Sequence, residues 1–360
     1  MKKRVLSTLL LMAVGLQFAL AQRLNVIFET DMGNDVDDAL AIDMLYKYHR
    51  NKKINLMAIM LNKEGQYPPR FIDLLNRWYG CKKIPIGATT REKNSTMSHV
   101  QNFTEVVCKM KDEKGRPLYK QLPDGAENWQ DAVMLHRKLL AKAEDSSVTI
   151  ISVGFSNNLS ALLESQPDGF SPLTGKDLVA KKVDRLVVMA GHMENPNYKE
   201  FNVINDVPAC QKVYDEWPTP IYTSPFELGE KILYPARSIK EDFGWTKHHP
   251  IVDAYKNYLP NMEDRPTWDL TAVLYAIDPG KMFSLSPAGR IKVTDRGCTT
   301  FTPETTGSHY YMYTNEEQRK QILDYFVNTY AVQISESAED KFLIVTHVAG
   351  IYLELIVVFS

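Results

Sequence analysis

Hydrophobic and polar positions alternate in blocks along the 360 residues of the chain. Leu24 to Thr30, "LNVIFET", is apolar nearly throughout and rich in β-branched and aromatic residues, as suits a strand covered on both faces. From Val36 the apolar residues Leu40, Ala41, Met44, Leu45 and Tyr48 recur at helical spacing. "INLMAIML", Ile54 to Leu61, predicts the next strand. "PPRFIDLLNRWYG" opens on prolines and closes on glycine, as a helix does, and "IPIGATT" predicts a short strand. Residues 91–127 are polar and irregular, which predicts a long loop or lid rather than core. The alternation then resumes: helix "NWQDAVMLHRKLLAKAE", strand "SVTIISVGF", helix "NLSALLES", strand "VDRLVVMAGH", helix "PACQKVYDEW", strand "TPIYTSPF". Repeated strand–helix alternation implies right-handed crossovers and a mostly parallel sheet.

After Phe226 the pattern is more helical, with "PIVDAYKNYL" and "DLTAVLYAI". "FSLSPAGRIKVTDRGCTTFTP" predicts a small, late strand pair, and "NEEQRKQILDYFVNTYA" a final helix with Glu316 and Glu317 in its first turn. Residues 332–360 form an apolar extension with no assigned role. His347 and Glu354 interrupt it, which argues against a membrane span and for an extra strand. There is no internal repeat and no low-complexity segment.

The N-terminus changes the picture. Lys2, Lys3 and Arg4 precede a short apolar run that closes on Ala19-Leu20-Ala21. This pattern predicts a signal peptide over residues 1–21, cleaved after Ala21, and a periplasmic or secreted mature protein with no membrane attachment. No cysteine follows the cleavage position, so a lipid anchor is not expected. Hydrophobic residues make up 44% of the chain and charged residues 24%, enough for a buried core. The formal net charge of −2 gives no electrostatic case for nucleic acid or an anionic membrane. Cys81, Cys108, Cys210 and Cys298 show no metal-binding spacing; a disulfide and four free thiols are both open.

The chemistry concentrates in "DMGNDVDDALA", where Asp31, Asp35, Asp37 and Asp38 fall between the first strand and its helix. Ligands of parallel α/β sheets bind beyond the carboxyl ends of the strands. A helix N-terminus favours acidic residues by about 0.3–1 kcal/mol each, too little to hold so many carboxylates together. A plain acidic cap on a solvated loop remains open, but a divalent cation with oxygen ligands explains the crowding better. Gly33 is what a sharp turn bringing Asp31 toward Asp38 requires. An EF-hand loop is out of register here, and a phosphatase-type DxD site lacks its basic and hydroxyl partners.

"ETDMGNDVDDALA" resembles the N-terminal signature of the inosine–uridine-preferring nucleoside hydrolases, written DTDxGxDDAxA, with two extra residues after the glycine. "MLNKEG", "SVGFSNNLSALL", "VVMAGHMENPNYKEFNVINDVPA" and "TWDLTAVLYAIDP" resemble the family's later motifs in the same order. The resemblance implies one α/β domain over residues 22–331, doubly wound, with a mostly parallel central sheet flanked by helices. It further implies a bound Ca²⁺ and hydrolysis of the N-glycosidic bond of ribonucleosides. Carried over by motif, Asp31 is the general base and a calcium ligand. Asp38, Asp269 and the Asn157 carbonyl are further ligands. Asp37, Asn62, Glu200 and Asn202 bind or support the ribose. Trp268 stands where the family's leaving-group histidine does, and indole is not a general acid; it is expected to stack on the base. Asp35 falls in the insertion, as a helix cap or a partial substitute for Asp37, and His192 is a candidate acid by residue type alone. A nucleoside or another ribosyl compound is the expected partner, either turned over or, if catalysis has been lost, only bound; a homo-oligomer is open.

Overall fold

The computed structural model describes residues 23–90, 103–123, 125–127, 129–330, 341–348 and 351–358. The expected signal peptide lies outside them. Seven strands run parallel: β1 (Leu24–Thr30), β2 (Ile54–Leu61), β3 (Ile86–Ala88), β4 (Gln130–Asp131), β5 (Val148–Ser152), β6 (Val183–Met189) and β7 (Ile221–Ser224). The chain builds β1, β2, β3 and β4 outward on one side, then returns to place β5, β6 and β7 on the other side of β1. The order therefore reverses beside β1, and a crevice opens past the carboxyl ends of β1 and β5.

β1 is apolar on both faces because helices cover both. Val26, Ile27 and Phe28 are fully buried and divide between two apolar clusters on opposite sides of the sheet. The helix Asp37–Arg50 packs into one cluster through Leu40, Met44 and Leu45. The helix Asn157–Glu164 packs into the other through Leu159, Leu162 and Leu163.

Two expectations are corrected and one is extended. The polar 91–127 stretch is not all loop: Phe103–Lys109 is a helix, with Phe103, Val107 and Cys108 buried against the main core. The late strand pair forms, and it lies at one edge of the main sheet. After a two-stranded ribbon, β8 (Leu233–Tyr234) with β9 (Arg265–Pro266), come β10 (Ser284–Leu285), β11 (Gly289–Val293), β12 (Thr299–Pro303) and β13 (His309–Tyr313). β13 joins β7 in parallel, and β11 and β12 extend the same sheet antiparallel. The C-terminal extension forms two strands, not one, β14 (Lys341–Val348) and β15 (Ile351–Val358), paired as an antiparallel hairpin. All four cysteines are buried and free.

Candidate active site

β1 ends at Thr30, and the chain turns through Gly33 at φ +105°, a region that favours glycine. The turn closes with the Asn34 N–H on the Asp31 carbonyl at 3.2 Å. Asp37 and Asp38 then occupy the first turn of the helix Asp37–Arg50. Asp269 comes from the first turn of a distant helix, Trp268–Ile277, whose backbone N–H at Asp269 donates to Asp37 Oδ2 at 3.0 Å. Oxygens of Asp37, Asp38 and Asp269 lie within 4.8 Å of one another, all buried.

β5 reaches the same place from the other side. Its continuation contains Gly154, where a Cβ would stand 2.5 Å from Asn62 Oδ1 and 2.6 Å from the Asp31 nitrogen. Only glycine lets the two strand ends approach this closely.

Few cations offset these carboxylates. Burial first, then the neighbouring aspartates, pushes Asp37, Asp38 and Asp269 well above the ordinary carboxylate range. Burial raises Asp31 to about 6, with hydrogen bonding from Asn34 and the charge of Lys63 opposing it. Thr30 Oγ1 donates to Asp38 Oδ1, whereas Asp38 Oδ2 is buried with no hydrogen-bond partner among the described residues. An oxygen donor left without a partner beside two convergent carboxylates suits a hard divalent cation, which takes oxygen ligands.

The cavity over this cluster measures about 310 Å³. Asp31, Asn34, Asp35, Asp37, Asp38 and Asp269 form its acidic floor. Glu200 and Asn202 form one wall; Phe226, Tyr258 and Trp268 contribute aromatic surface. Glu200 receives N–H groups from Gly191 at 3.0 Å, Asn202 at 2.8 Å and Val203 at 3.2 Å, and burial raises it to about 7. Asn202 Nδ2 donates to the carbonyls of Val153 (3.0 Å) and Met189 (3.2 Å). Trp268 stacks on Phe226, with ring centroids 5.2 Å apart.

Most of the residues picked from sequence thus meet in one cavity: Asp31, Asp35, Asp37, Asp38, Glu200, Asn202, Trp268 and Asp269. Asn62 and Asn157 lie behind the floor. Asn157 Nδ2 donates to the Asn62 carbonyl at 3.0 Å, and Ser156, not Asn157, is the N-cap of its helix. His192 does not line the cavity. It stacks on Phe226 at 5.9 Å, and its Nδ1 accepts the Asn195 N–H at 3.0 Å. Asp35 is not the cap of the helix, since Val36 holds the N-cap position; its Oδ1 accepts the Val36 N–H just before the helix at 2.6 Å, and its carboxylate pairs with Arg265.

The sequence reading passed over several residues. Asn34 Nδ2 donates to Asp31 Oδ2 at 2.6 Å and is in turn held by Lys63. Glu29, fully buried in β1, meets His136 Nε2 at 2.6 Å and Asn158 Nδ2 at 2.9 Å, bracing the floor from beneath. A charged residue inside an apolar strand was the available signal for that network.

Comparison with known proteins gives the family and the same fold. A model of the family described as inosine-uridine preferring nucleoside hydrolase matches residues 26–333. A plant nucleoside hydrolase superposes with a TM-score of 0.64 at 16% identity, over 86% of this chain and 99% of its own. A purine-preferring ribonucleoside hydrolase from Gardnerella vaginalis gives 0.64 at 16% identity, over 85% and 98%. An inosine-uridine preferring nucleoside hydrolase from Bacillus anthracis gives 0.61 at 15% identity, over 85% and 99%. No curated protein matches.

Proposed function

The chain belongs to the inosine-uridine preferring nucleoside hydrolase family, and from that premise we propose that it cleaves the N-glycosidic bond of ribonucleosides, releasing base and ribose, with Ca²⁺ as its cofactor. The observation that carries this reading is the convergence of buried carboxylate oxygens of Asp37, Asp38 and Asp269 beneath a cavity with an aromatic side, where Asp38 Oδ2 has no hydrogen-bond partner among the described residues. Asp38 and Asp269 would hold the cation with Asp31 or Asp37. When bound, it supplies positive charge to the acidic floor and lowers the pKa of water beside it.

The chain's own residues supply the rest. Cleavage of a glycosidic bond passes through an oxocarbenium-like sugar, which nearby carboxylates stabilise. Asp31 takes the proton from the attacking water. Its carboxylate stands at the cavity floor, and Asn34 Nδ2, donating to Oδ2 at 2.6 Å, fixes its orientation. Asp37, Glu200 and Asn202 hold the ribose hydroxyls; three backbone N–H groups fix the Glu200 carboxylate for that task. Phe226 and Trp268 form a stacking surface for the base. Among the described residues no histidine lines the cavity, so the reading favours bases that depart with little protonation. The same chemistry accommodates ribosyl compounds other than nucleosides. Export after removal of residues 1–21 is part of the proposal, and N-terminal sequencing of the mature protein tests it.

Reducing-sugar release from a nucleoside panel, with and without chelator, tests the activity. Ribose is expected from at least one nucleoside, with loss on chelation and recovery on adding calcium. Asp31→Asn should abolish release while the circular dichroism spectrum stays native. A calcium-loaded protein that binds nucleosides but frees no ribose would overturn the proposal in favour of a binding protein.

A further inference from the structure

Glu200 stands at the end of an irregular segment, residues 190–199, that leaves the carboxyl end of β6. This segment forms no helix or strand of its own, so its backbone groups need partners elsewhere. Thr299 and Glu227 supply four of them, beside an antiparallel bridge between Lys199 and Cys298 and side-chain acceptors at Glu200, His192 and Asn195. Thr299 of β12 accepts the His192 N–H at 2.9 Å and donates to the His192 carbonyl at 3.0 Å. Glu227, buried in the short helix Phe226–Glu230, accepts the N–H groups of Met193 at 2.9 Å and Glu194 at 3.1 Å through one oxygen, Oε1.

The segment is also tied to both walls of the cavity. The Phe226 N–H donates to the Gly191 carbonyl at 2.8 Å, and the Gly191 N–H donates to Glu200 Oε2 at 3.0 Å. Glu227 therefore sits next in the chain to an aromatic residue of the base side and fixes the segment that aims the carboxylate of the sugar side. It does not line the cavity itself. Its second oxygen, Oε2, is buried 3.2 Å from His192 Nδ1, but that nitrogen already accepts the Asn195 N–H, and Oε2 has no hydrogen-bond partner among the described residues. A buried oxygen without a donor is costly.

We infer that Glu227 is a positioning residue, which acts through residues 190–199 to hold Glu200 against the sugar. The inference rests on the proposed sugar-binding role of Glu200. Because Glu200 would grip the ribose alike in the ground and transition states, loss of its position should raise KM more than it lowers kcat.

The test compares Glu227→Leu, which removes both oxygens at similar volume, with Glu227→Gln, which keeps an acceptor oxygen and places an N–H near His192. Amide hydrogen exchange over residues 190–203 is measured in the full protein, alongside kcat and KM on a nucleoside. In Glu227→Leu, exchange should rise about tenfold at Met193 and Glu194, the loss expected for one hydrogen bond, and the rise should spread to Gly191, Asn202 and Val203. KM should rise about tenfold with kcat within about twofold. Glu227→Gln should restore both. Faster exchange confined to Met193 and Glu194, or failure of Gln to rescue, would overturn the inference. Should Glu227→Leu not fold, Glu227→Asp, which withdraws the carboxylate by one methylene, gives the same comparison. If the wild-type protein releases no ribose, the proposed function fails, and the exchange pattern alone decides the positioning role.

Discussion

Asp35 and Arg265 lie 230 residues apart and form an ion pair at the edge of the acidic cavity, with Arg265 Nε 3.1 Å from Asp35 Oδ1. The guanidinium also rests over the rings of Tyr258, at 5.2 Å, and Trp268, at 5.1 Å. The inserted aspartate of the first motif is thus tied to the aromatic surface on which a base would stack. Asp35→Asn is expected to lower stability by about 1 kcal/mol, because the pair is partly exposed. It should also raise KM for nucleosides by roughly three- to tenfold, as the Trp268 surface loosens. Urea unfolding and steady-state kinetics check both; an unchanged KM would remove Asp35 from the binding surface.

Asp269→Asn should make the cation-free protein more stable and the cation-loaded protein less so. Removing one of several buried like charges relieves repulsion and desolvation, by about 1–2 kcal/mol. The same change should cut calcium affinity by at least about tenfold. Melting curves with chelator and with calcium would show the two effects with opposite signs. A variant destabilised equally in both conditions would contradict the idea that Asp269 is a ligand.

Gly154→Ala should damage the site without touching an acidic residue. Its Cβ would press on Asn62 Oδ1 and on the Asp31 backbone at the junction of β1 and β5. Such overpacking costs about 1–3 kcal/mol. Calcium titration should weaken together with the melting temperature.

Stability should fall at acidic pH through His309. Burial, reinforced by the charge of Arg290, holds this histidine at about 4, below its ordinary 6.5, and its Nδ1 accepts the Ile291 N–H at 3.0 Å. Because the folded value lies below the unfolded one, its contribution is intact above about pH 6.5 and is lost as pH falls toward 4. His309→Asn, with an amide oxygen for the same N–H, should flatten that part of a urea-midpoint profile. A slope left unchanged would assign the acid sensitivity elsewhere.

How much of this was legible in the sequence depended on the range of the forces involved. β1 and the helix after it were readable because burial on both faces and a 3.6-residue period are local patterns. The acidic motif was readable because its aspartates are crowded in the chain itself. The helix Phe103–Lys109 was missed because two turns among polar residues carry little periodicity, and its burial comes from neighbours far away in sequence. The join between β13 and β7 was missed for a similar reason, since strand pairing across distant segments leaves no local mark. Glu29 with His136, 107 residues apart, and Asp35 with Arg265 are bonds whose partners only the fold brings together.

The site draws Asp31, Asp37 and Asp38 from the first strand and its helix, and Asp269 from a helix near the end of the domain. During synthesis on a ribosome, nearly two hundred and forty residues must therefore emerge between the first of these carboxylates and the last. On the proposed reading, a half-made chain would lack one of the carboxylates that hold the ion. Cation capture would then report that the domain has closed, and its binding energy would favour the finished fold.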